Sequence, residues 1–451
     1  MEIVYKSFDF QDNILDVYSL FKDYKDCFLL DSSLKSDDKG RFSFIGFDPF
    51  YVLKSKNDNT FSKLRCLLKD YQINSNYYLP FLGGAVGYFA YDLAQVIEKK
   101  IKFKAKDDLN LPDFYFGFYD AIIACDHLTN KLIIVSTGLP EKKEYLRQIR
   151  AKERLNFIVG ILKNYKQAKI NSDVISVDHL LSNFSKVEYI KAIKKTLQYI
   201  AKGDIYQVNI SQRFSGKIYS DSFSLFKKLR RVFPTDFGVY FNTDDFKIIS
   251  GSPERFLKVN NRIVEACPMK GTRPRGRTKE EDLFFKKELI KNKKEQAELL
   301  MIIDLIRNDL GRVCNYNSIR VINKRKLEEY KTVFQTIAIV RAMLHKEKDN
   351  IDLLMATLPG GSITGCPKIR AVEIIDEIEP LRRAIYTGSF GYLSFSGNLD
   401  LNILIRTFLI KQNNFYFQVG GGIVSDSTPE LEYDETLTKA RALMEALDLC
   451  K

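Results

Sequence analysis

The stretch that decides the fold spans residues 414–440 and reads NFYFQVGGGIVSDSTPELEYDETLTKA. Its first part is rich in aromatic residues, which predicts a strand. Three consecutive glycines follow. Thr428 and Pro429 then stand in the order that N-cap and first-turn preferences favour, so a helix is predicted from there to about Leu449. The stretch predicts mixed helix and strand structure at the end of the chain.

Working outward from this stretch, helices alternate with paired strands. Two strands are predicted upstream, GSFGYLSF at 388–395 and LNILIRTFLI at 401–410. Farther upstream, ERFLKV and RIVEACP form a predicted hairpin with its turn at Asn260 and Asn261, because asparagine tolerates a positive φ. The predicted helices are 186–202 ended by Gly203, a helix capped by Thr278, and 294–308.

The first part of the chain has a different pattern. Up to about residue 138, short aromatic or β-branched runs such as RFSFIGF and DAIIACDH are separated by polar turns, which predicts strands. Residues 141–169 are charged with helical spacing, and residues 171–183, NSDVISVDHLLSN, are the best linker candidate. The sequence therefore predicts an N-terminal region at 1–170 and a larger second region at 185–451.

Composition excludes several classes of protein. The chain has 451 residues, 45% hydrophobic and 13% aromatic, enough for a large core, so disorder is excluded for most of it. No apolar run approaches the roughly 18–20 residues that span a bilayer, and no secretory signal is present, so we expect a cytoplasmic protein with no membrane partner. The seven cysteines are scattered without a CxxC pair, which predicts reduced thiols.

The net charge of +13, from 70 basic and 57 acidic residues, is typical of many nucleic-acid-binding proteins. Here the basic residues lie in short lysine-rich stretches that alternate with acids, without the aromatic and basic interleaving of an RNA-binding sheet. We interpret the charge as a solvated surface that also attracts anionic substrates, and expect no nucleic-acid partner.

Two pairs of glutamates stand three residues apart on predicted helices: Glu295 with Glu298, and Glu432 with Glu435. This spacing places both carboxylates of a pair on one helix face, where they repel each other unless a cation compensates. Mg²⁺ takes oxygen ligands and is usually held by one or two carboxylates with substrate and water, so it fits better than zinc. The alternative is an ordinary acidic helix face.

Glu254 and Lys270 are connected by the predicted hairpin. With its turn at Asn260 and Asn261, Glu254 faces Cys267 and Lys270 lies just past the strand end, so the two side chains can share one cleft. A lysine near a carboxylate in a partly dry cleft can act as nucleophile or as acid and base, since burial lowers its pKa. The alternative is a surface ion pair.

Two glycine-rich turns and one arginine indicate a ligand that carries carboxylates. Gly420, Gly421 and Gly422 follow a predicted strand, and LPGGSITGCPK at 358–368 supplies a second turn with a hydroxyl and a lysine. Such backbones can bring N–H groups close to an anion, although each could also be a plain tight loop, and neither has a Walker or dinucleotide-binding order. Arg406 lies inside an apolar predicted strand, which is costly without an anionic partner.

Long motifs in the second region resemble the chorismate-binding family. In chain order they are GDIYQVNISQRF (203–214), SGSPERFL (250–257), CPMKGTRPRG (267–276), KEQAELLMIIDLIRNDLGRVC (294–314), PGGSITGCPKIRAVEIIDEIEP (359–380), YTGSFGYL (386–393), LNILIRT (401–407) and VGGGIVSDSTPELEYDETLTKA (419–440). LLDSS, RFSFIG and GGAVGYFAYD likewise resemble the N-terminal region of the family's anthranilate and aminodeoxychorismate synthases.

The resemblance implies an α+β fold like that of anthranilate synthase component I, a four-layer α/β/β/α sandwich with two orthogonally packed antiparallel sheets and the active site in 185–451. It implies Mg²⁺-dependent use of chorismate, with Glu298 and Glu435 as metal ligands and Glu295 and Glu432 beside them. The groups it implies for the substrate site are Arg406, Tyr386, Lys439, Gly420, Gly421, Gly422, Thr364 and Gln207.

Residues at three positions distinguish the members of the family from one another. Isochorismate and salicylate synthases carry a water-activating lysine at the position of Gln207, so water is disfavoured as nucleophile. Lys270 in PMKGT resembles the p-aminobenzoate branch, whereas anthranilate synthases usually read P-[IM]-A-G-T-R. Gln335 replaces a family histidine, as it does in some p-aminobenzoate-type relatives. A catalytically idle subunit is disfavoured because the other acid and base positions are filled.

The implied activity is amination of chorismate at C4 to 4-amino-4-deoxychorismate, for p-aminobenzoate and folate synthesis. Lys270 is the implied nucleophile and Glu254 the implied general acid. The alternative within the family is the anthranilate synthase component I reaction, from chorismate to anthranilate and pyruvate in tryptophan synthesis.

The resemblance also implies a partner that supplies ammonia. No cysteine lies in a GxCLGxQ-like nucleophile motif and the chain ends soon after the last family motif, so we expect a separate glutamine amidotransferase subunit. The FLLDSS-like segment lies by a tryptophan pocket in relatives, but Asp31 stands where many anthranilate synthases have glutamate. We therefore expect no feedback inhibition by tryptophan.

Overall fold

The computed structural model describes residues 3–34, 39–56, 58, 60–163, 174–329 and 333–449. These residues form 22 strands and 11 α-helices, numbered here in chain order, and the strands make two antiparallel sheets. The α+β sandwich predicted from the sequence is confirmed. Within the described residues, no helix combines the length and the apolar composition needed to cross a membrane.

The first sheet has twelve strands. Their order across the sheet is β1 (Val4–Asp9), β8 (Lys131–Ser136), β7 (Ala121–Asp126), β3 (Phe42–Gly46), β2 (Cys27–Asp31), β11 (Phe237–Asn242), β12 (Lys247–Ser252), β21 (Thr407–Lys411), β22 (Asn414–Ile423), β10 (Gln207–Lys217) and β18 (Gly365–Cys366), with β9 (Leu181–Ser182) also paired to β10.

The second sheet has ten strands. Their order is β15 (Met269–Pro274), β17 (Val333–Met343), β14 (Ile263–Ala266), β13 (Arg255–Asn260), β20 (Leu399–Ile403), β19 (Ser389–Ser394), β5 (Gly84–Phe89), β6 (Phe114–Tyr119) and β4 (Tyr51–Ser55), with β16 (Arg320–Glu329) also paired to β17.

Both sheets combine strands from the two sequence regions. In the first sheet β2 pairs with β11, and in the second β5 pairs with β19. The regions 1–170 and 185–451 are therefore joined by main-chain hydrogen bonds in each sheet. Part of the predicted linker, residues 171–173, lies outside the described residues.

The main core lies between the two sheets. Phe28 of β2 contacts Tyr119 of β6 with ring centroids 4.8 Å apart, and Phe44 of β3 contacts Tyr392 of β19 at 5.8 Å. Each pair joins one sheet to the other in an edge-to-face geometry, which adds about 0.5–1.5 kcal/mol beyond the area buried. Side chains alternate along these strands, so the neighbouring Leu29 packs in a separate cluster under the outer helices.

The helices cover the outer faces of the sheets. They are α1 (Ile14–Ser19), α2 (Phe61–Asp70), α3 (Ala94–Ile97), α4 (Glu144–Leu162), α5 (Lys186–Ala201), α6 (Ser222–Val232), α7 (Lys279–Lys291), α8 (Lys293–Gly311), α9 (Asn350–Thr357), α10 (Lys368–Ile378) and α11 (Pro429–Ala446). Helices α4, α6 and α11 contact the first sheet, whereas α7 and α8 contact β15 and β17 of the second.

Several predicted helix ends agree with the structure. Helix α5 ends at Ala201 ahead of Gly203, whose φ is 80°, and Ser185 forms a capping box at its start. Thr278 caps α7 by accepting from the Glu281 N–H. Pro429 opens α11 as predicted, but the Thr428 side chain makes no capping hydrogen bond to any described residue.

The predicted hairpin turn was one residue too early. Asn261 and Arg262 have φ of 48° and 67°, and Val259 pairs with Val264, so the turn is centred on these two residues. This register places Glu254 beyond Cys267 and next to Met269, whose backbone N–H bonds the Glu254 carboxyl. The correction brings Glu254 closer to Lys270 than the predicted register did.

Candidate active site

The two acidic pairs lie on helices from opposite sides of the fold. Glu295 and Glu298 are in the first two turns of α8, which begins where the Asn292 side chain accepts from the Glu295 N–H at 3.0 Å. Glu432 and Glu435 are in the first two turns of α11. Both predicted helix placements are confirmed.

Lys270 interacts with a glutamate of each acidic pair. Its Nζ lies 2.9 Å from Oε2 of Glu298, and its charge also acts on Glu435. Strand β15 positions this lysine, with Lys270 opposite Thr336 of β17. The sequence predicted a partnership of Lys270 with Glu254, whereas the ion pair in the structure is with one of the carboxylates implied to bind the metal.

Glu254 is the buried acid of the site. It is only 5% exposed, and burial raises its pKa to about 7, against the opposing effects of the Ser362 hydrogen bond and the Lys270 charge. Its carbonyl accepts from the Ile403 N–H, which holds the residue at the start of β13 beside β20. A carboxyl group with this pKa can hold a proton near neutral pH and give it to a bound substrate.

Gly421 and Gly422 let the strand β22 approach the charged side chains. A Cβ at Gly422 would lie 2.5 Å from Nε2 of Gln207 and 3.3 Å from Nζ of Lys270. A Cβ at Gly421 would lie 3.1 Å from Oε2 of Glu432. The three glycines are inside β22, where they pair with β10, and not after the strand as predicted.

Lys439 and Arg406 adjoin the glycine strand. Lys439 Nζ lies 2.7 Å from Oε1 of Glu435 and donates to the Gly420 carbonyl at 2.9 Å, while an Arg406 N–H donates to the Lys439 carbonyl at 3.3 Å. Burial opposes the ionisation of Glu435, but Lys439 and the other nearby lysines outweigh it and lower the pKa of Glu435. Two cationic side chains, Lys439 and Arg406, therefore lie beside the glycines of β22.

Arg406 does not lie inside a strand as predicted. It follows β20 and precedes β21, with φ of 49°, and its guanidinium lies 4.4 Å from the centre of the Phe233 ring. Burial lowers its pKa to about 10, and no carboxylate among the described residues forms an ion pair with it. The physical requirement for an anionic partner therefore stands, and a carboxylate of the substrate can satisfy it.

Tyr386 and Thr364 lie on neighbouring loops that one arginine connects. Arg383 donates to the Ile363 carbonyl at 3.1 Å and to the Asn209 carbonyl at 2.7 Å, and it lies over the Tyr386 ring at 5.6 Å. The Thr364 hydroxyl donates to the Gly360 carbonyl at 2.8 Å. Neither side chain has a direct contact with the acidic pairs among the interactions of the described residues.

Sequence reasoning missed the residues that hold this site together. Glu379 is 3% exposed and fixes Arg383 with two hydrogen bonds, and it accepts from the hydroxyl and N–H of Ser211. Arg273 bridges Glu288 of α7 to Glu295 of α8, each at 2.9 Å. These partners come from distant parts of the chain. The pattern offered a signal for Arg273 alone, as a basic residue three positions after Lys270.

The donor set fits a divalent cation held together with substrate. Oε2 of Glu295 and Oε2 of Glu432 are buried and have no hydrogen-bond partner among the described residues, although the Arg325 guanidinium lies 3.6 Å from Oε2 of Glu295. Over those same ranges, no three carboxylate, imidazole or thiol side chains converge as a complete cage. Mg²⁺ is commonly held by one or two carboxylates with substrate oxygens, which matches carboxylates presented from two separate helices.

A family model described as chorismate binding enzyme matches residues 25–445, and the chain belongs to this family. It is therefore an enzyme that acts on chorismate.

Two groups of relatives share this similarity. The chain is 37% identical over 456 residues to an anthranilate synthase component 1 from Acetivibrio thermocellus, covering 95% of this chain and 92% of the relative. It is also 37% identical over 432 residues to an aminodeoxychorismate synthase component 1 from Bacillus subtilis (strain 168), covering 92% and 91%. The solved anthranilate synthase component I from Streptococcus pneumoniae TIGR4 has a TM-score of 0.80 and 29% identity, covering 90% of this chain and 92% of that one.

Proposed function

We propose that this chain aminates chorismate at C4 to give 4-amino-4-deoxychorismate, as an aminodeoxychorismate synthase component I. The observation that carries the proposal is Lys270, whose Nζ lies against the glycine strand and 2.9 Å from Glu298 in the same site as Glu254. A lysine amine placed in the substrate site can react covalently with a ring carbon. Identity cannot choose between the two activities, because relatives of both kinds are 37% identical to the chain.

The reaction uses Lys270 and Glu254 as a pair. Lys270, as free amine, attacks C2 of chorismate, the ring double bonds shift, and the C4–O bond breaks. Glu254 gives its proton to the departing hydroxyl, which leaves as water. Ammonia then adds at C4 and returns a proton to Glu254, the double bonds shift back, and the bond between C2 and Lys270 breaks to release the free amine. The enolpyruvyl group stays attached throughout, so pyruvate is not released.

The other residues of the site hold the substrate. Arg406 and Lys439 supply cations for its carboxylates beside the backbone of Gly420. Glu298 and Glu435, with Glu295 and Glu432 beside them, would hold Mg²⁺. When bound, this ion neutralises a substrate carboxylate and orients the ring. Gln207, whose amide lies by Gly422, cannot activate water as a base, which leaves ammonia as the nucleophile.

The test is identification of the product that the purified chain makes from chorismate, Mg²⁺ and an ammonium salt. The proposal expects a mass corresponding to 4-amino-4-deoxychorismate. The competing function is anthranilate synthesis, which is favoured by several of the similar relatives being anthranilate synthases. Anthranilate and pyruvate in equal amounts would establish that function instead.

A separate glutaminase subunit follows from the same proposal. We expect the purified chain to use ammonium salts at alkaline pH, where more free ammonia is present, and to make no product with glutamine. Addition of a glutamine amidotransferase subunit should confer glutamine use, because ammonia is then released next to the acceptor site. Glutamine-dependent product from the chain alone contradicts this expectation.

We also expect tryptophan to leave the activity unchanged. A cavity of about 310 Å³ between the two regions is lined by Asp31, Lys39 and Arg41, among other residues. Asp31 is bound by Arg230 at 2.6 Å, Lys39 by Glu328 at 2.7 Å and Arg41 by Asp126 at 2.8 Å.

A zwitterionic amino acid would therefore have to compete with existing ion pairs for these three charges. The measurement is the rate of chorismate consumption against tryptophan concentration. Inhibition at micromolar tryptophan would contradict the prediction and favour the anthranilate function.

A further inference from the structure

The second glycine-rich turn carries Thr364 of the implied substrate site, but its Ser362 has no role in the reaction as described above. It connects α9 to α10 and carries a hydroxyl at Ser362, while Lys368 opens α10. In the structure this turn lies over Glu254. The Ser362 hydroxyl donates to Oε1 of Glu254 at 3.1 Å.

The surroundings of Glu254 contain few other polar groups. Its carboxyl accepts from the Ser362 hydroxyl and from the Met269 N–H. A small cavity of about 20 Å³ adjoins it, with room for about one water, and is lined largely by apolar residues such as Phe256 and Ile306. The orientation of the carboxyl therefore depends strongly on these two donors.

The turn that carries Ser362 is anchored at both ends. The Lys368 ammonium bonds Oδ2 of Asp309 at 2.6 Å and the Thr357 carbonyl at 3.2 Å, so one side chain ties the start and the end of the turn to α8. In the middle, a Cβ at Gly361 would lie 3.3 Å from Leu305 of α8, which shows how closely the turn packs there. An anchored turn holds its hydroxyl in a fixed place.

We propose that Ser362 is a positioning residue that orients the carboxyl of Glu254 for proton transfer, with the Lys368–Asp309 pair holding its turn in place. A hydrogen bond donated to Oε1 places the transferable proton of Glu254 on Oε2. The inference rests on the proposed role of Glu254 as general acid, and that role is common to the proposed and the competing reaction on chorismate.

The charged groups around Glu254 are Lys270 of β15, Asp309 of α8 and the adjacent Arg255. Arg255 is bound by Asp400 at 2.9 Å and Asp309 by Lys368, so their charges are largely compensated. Burial raises the pKa of Glu254 to about 7, and the Ser362 bond opposes this because it favours the ionised form. Loss of the hydroxyl should therefore raise the pKa further.

The test compares wild type, Ser362→Ala and Ser362→Thr by kcat/KM for chorismate against pH. Total ammonium is adjusted at each pH so that free ammonia stays constant. In Ser362→Ala the alkaline limb of the kcat/KM profile, where Glu254 loses its proton, should move to higher pH by about half to one unit. The maximum value of kcat/KM should fall about tenfold. Ser362→Thr retains the hydroxyl and should restore both.

Two further variants separate positioning from general loss of stability. Ser362→Gly removes the hydroxyl without adding a methyl group and should reproduce the shift even if Ser362→Ala folds poorly. Ser222→Ala is the matched control, since it removes a buried hydrogen bond of 2.7 Å between Ser222 of α6 and the hydroxyl of Tyr240 on β11. It should lower Tm and leave the alkaline limb in place.

The proposal is overturned if the alkaline limb of the kcat/KM profile stays in place in both Ser362→Ala and Ser362→Gly. It is also overturned if their loss of kcat/KM only follows a loss of Tm, as in the control. Failure of the proposed function gives a different result that is seen in wild type itself, which then makes anthranilate and pyruvate from chorismate or consumes no chorismate at any pH. If wild type is active and Glu254→Gln is not, the role of Glu254 stands and the Ser362 variants test positioning alone.

Discussion

Lys270→Ala is expected to lose most of the activity of the chain, by about a hundredfold or more, and to make some product aminated at C2. In the proposed reaction the covalent bond to Lys270 blocks C2 and directs ammonia to C4. Alanine removes the nucleophile and opens space beside Gly422, where Nζ now lies. Ammonia, the smaller nucleophile, can then reach C2 itself.

Mass spectrometry of the reaction mixture, with a coupled assay for pyruvate, measures both the loss of activity and the appearance of product aminated at C2. Lys131→Ala is a matched control, since Lys131 is also an ion-paired strand lysine, bound to Asp9 at 2.7 Å at the partly exposed start of β8. It should have wild-type activity and products. Wild type that releases pyruvate in step with anthranilate would mean that Lys270 is a bystander, and the competing function would replace the proposed one.

Glu298→Gln and Glu435→Gln are each expected to abolish activity, with a loss of about 10²–10³-fold, while the fold is retained. Glutamine keeps the size and one oxygen of the carboxylate but removes the charge that we propose binds Mg²⁺. The two variants complement each other, because Glu298 pairs with Lys270 whereas Glu435 pairs with Lys439. A loss common to both variants would support the proposed Mg²⁺ site, because a single disrupted ion pair cannot account for it.

Calorimetric titration with Mg²⁺ and circular dichroism provide the measurements beside activity. EDTA should remove activity, and added Mg²⁺ should restore it. Glu373→Gln serves as control, because Glu373 is a helix carboxylate paired with Arg370 at 3.0 Å on α10. Full activity of either site variant in metal-free buffer would rule out the assignment of these carboxylates.

Local patterns predicted the parts of the site that depend on local structure. Glu295 with Glu298 and Glu432 with Glu435 share helix faces because their three-residue spacing determines it once the helix is known. The predicted cap at Thr278, outside the site, is a similar case, because its side chain bonds a backbone group three residues away.

The errors arose where strand pairing over long distances decides the geometry. The turn at Asn261 and Arg262 shifts the register by one residue per strand, and no local feature distinguished it from Asn260. The strand predicted across Arg406 is broken there, because β20 and β21 belong to different sheets and the chain must cross between them. The Lys270–Glu298 pair joins a strand to a helix that sequence spacing alone could not align.

The interleaved sheets have a consequence for how the chain folds. Phe89 pairs with Ser389 and Leu29 with Tyr240, so neither sheet can be completed until most of the polypeptide has been synthesised. Contacts between residues so far apart in sequence impose a large entropic cost before they become favourable, which slows folding. During synthesis, the aromatic strands of the N-terminal region have unpaired edges and exposed apolar faces until their partner strands are made. A nascent chain of this topology is therefore a natural client for chaperones.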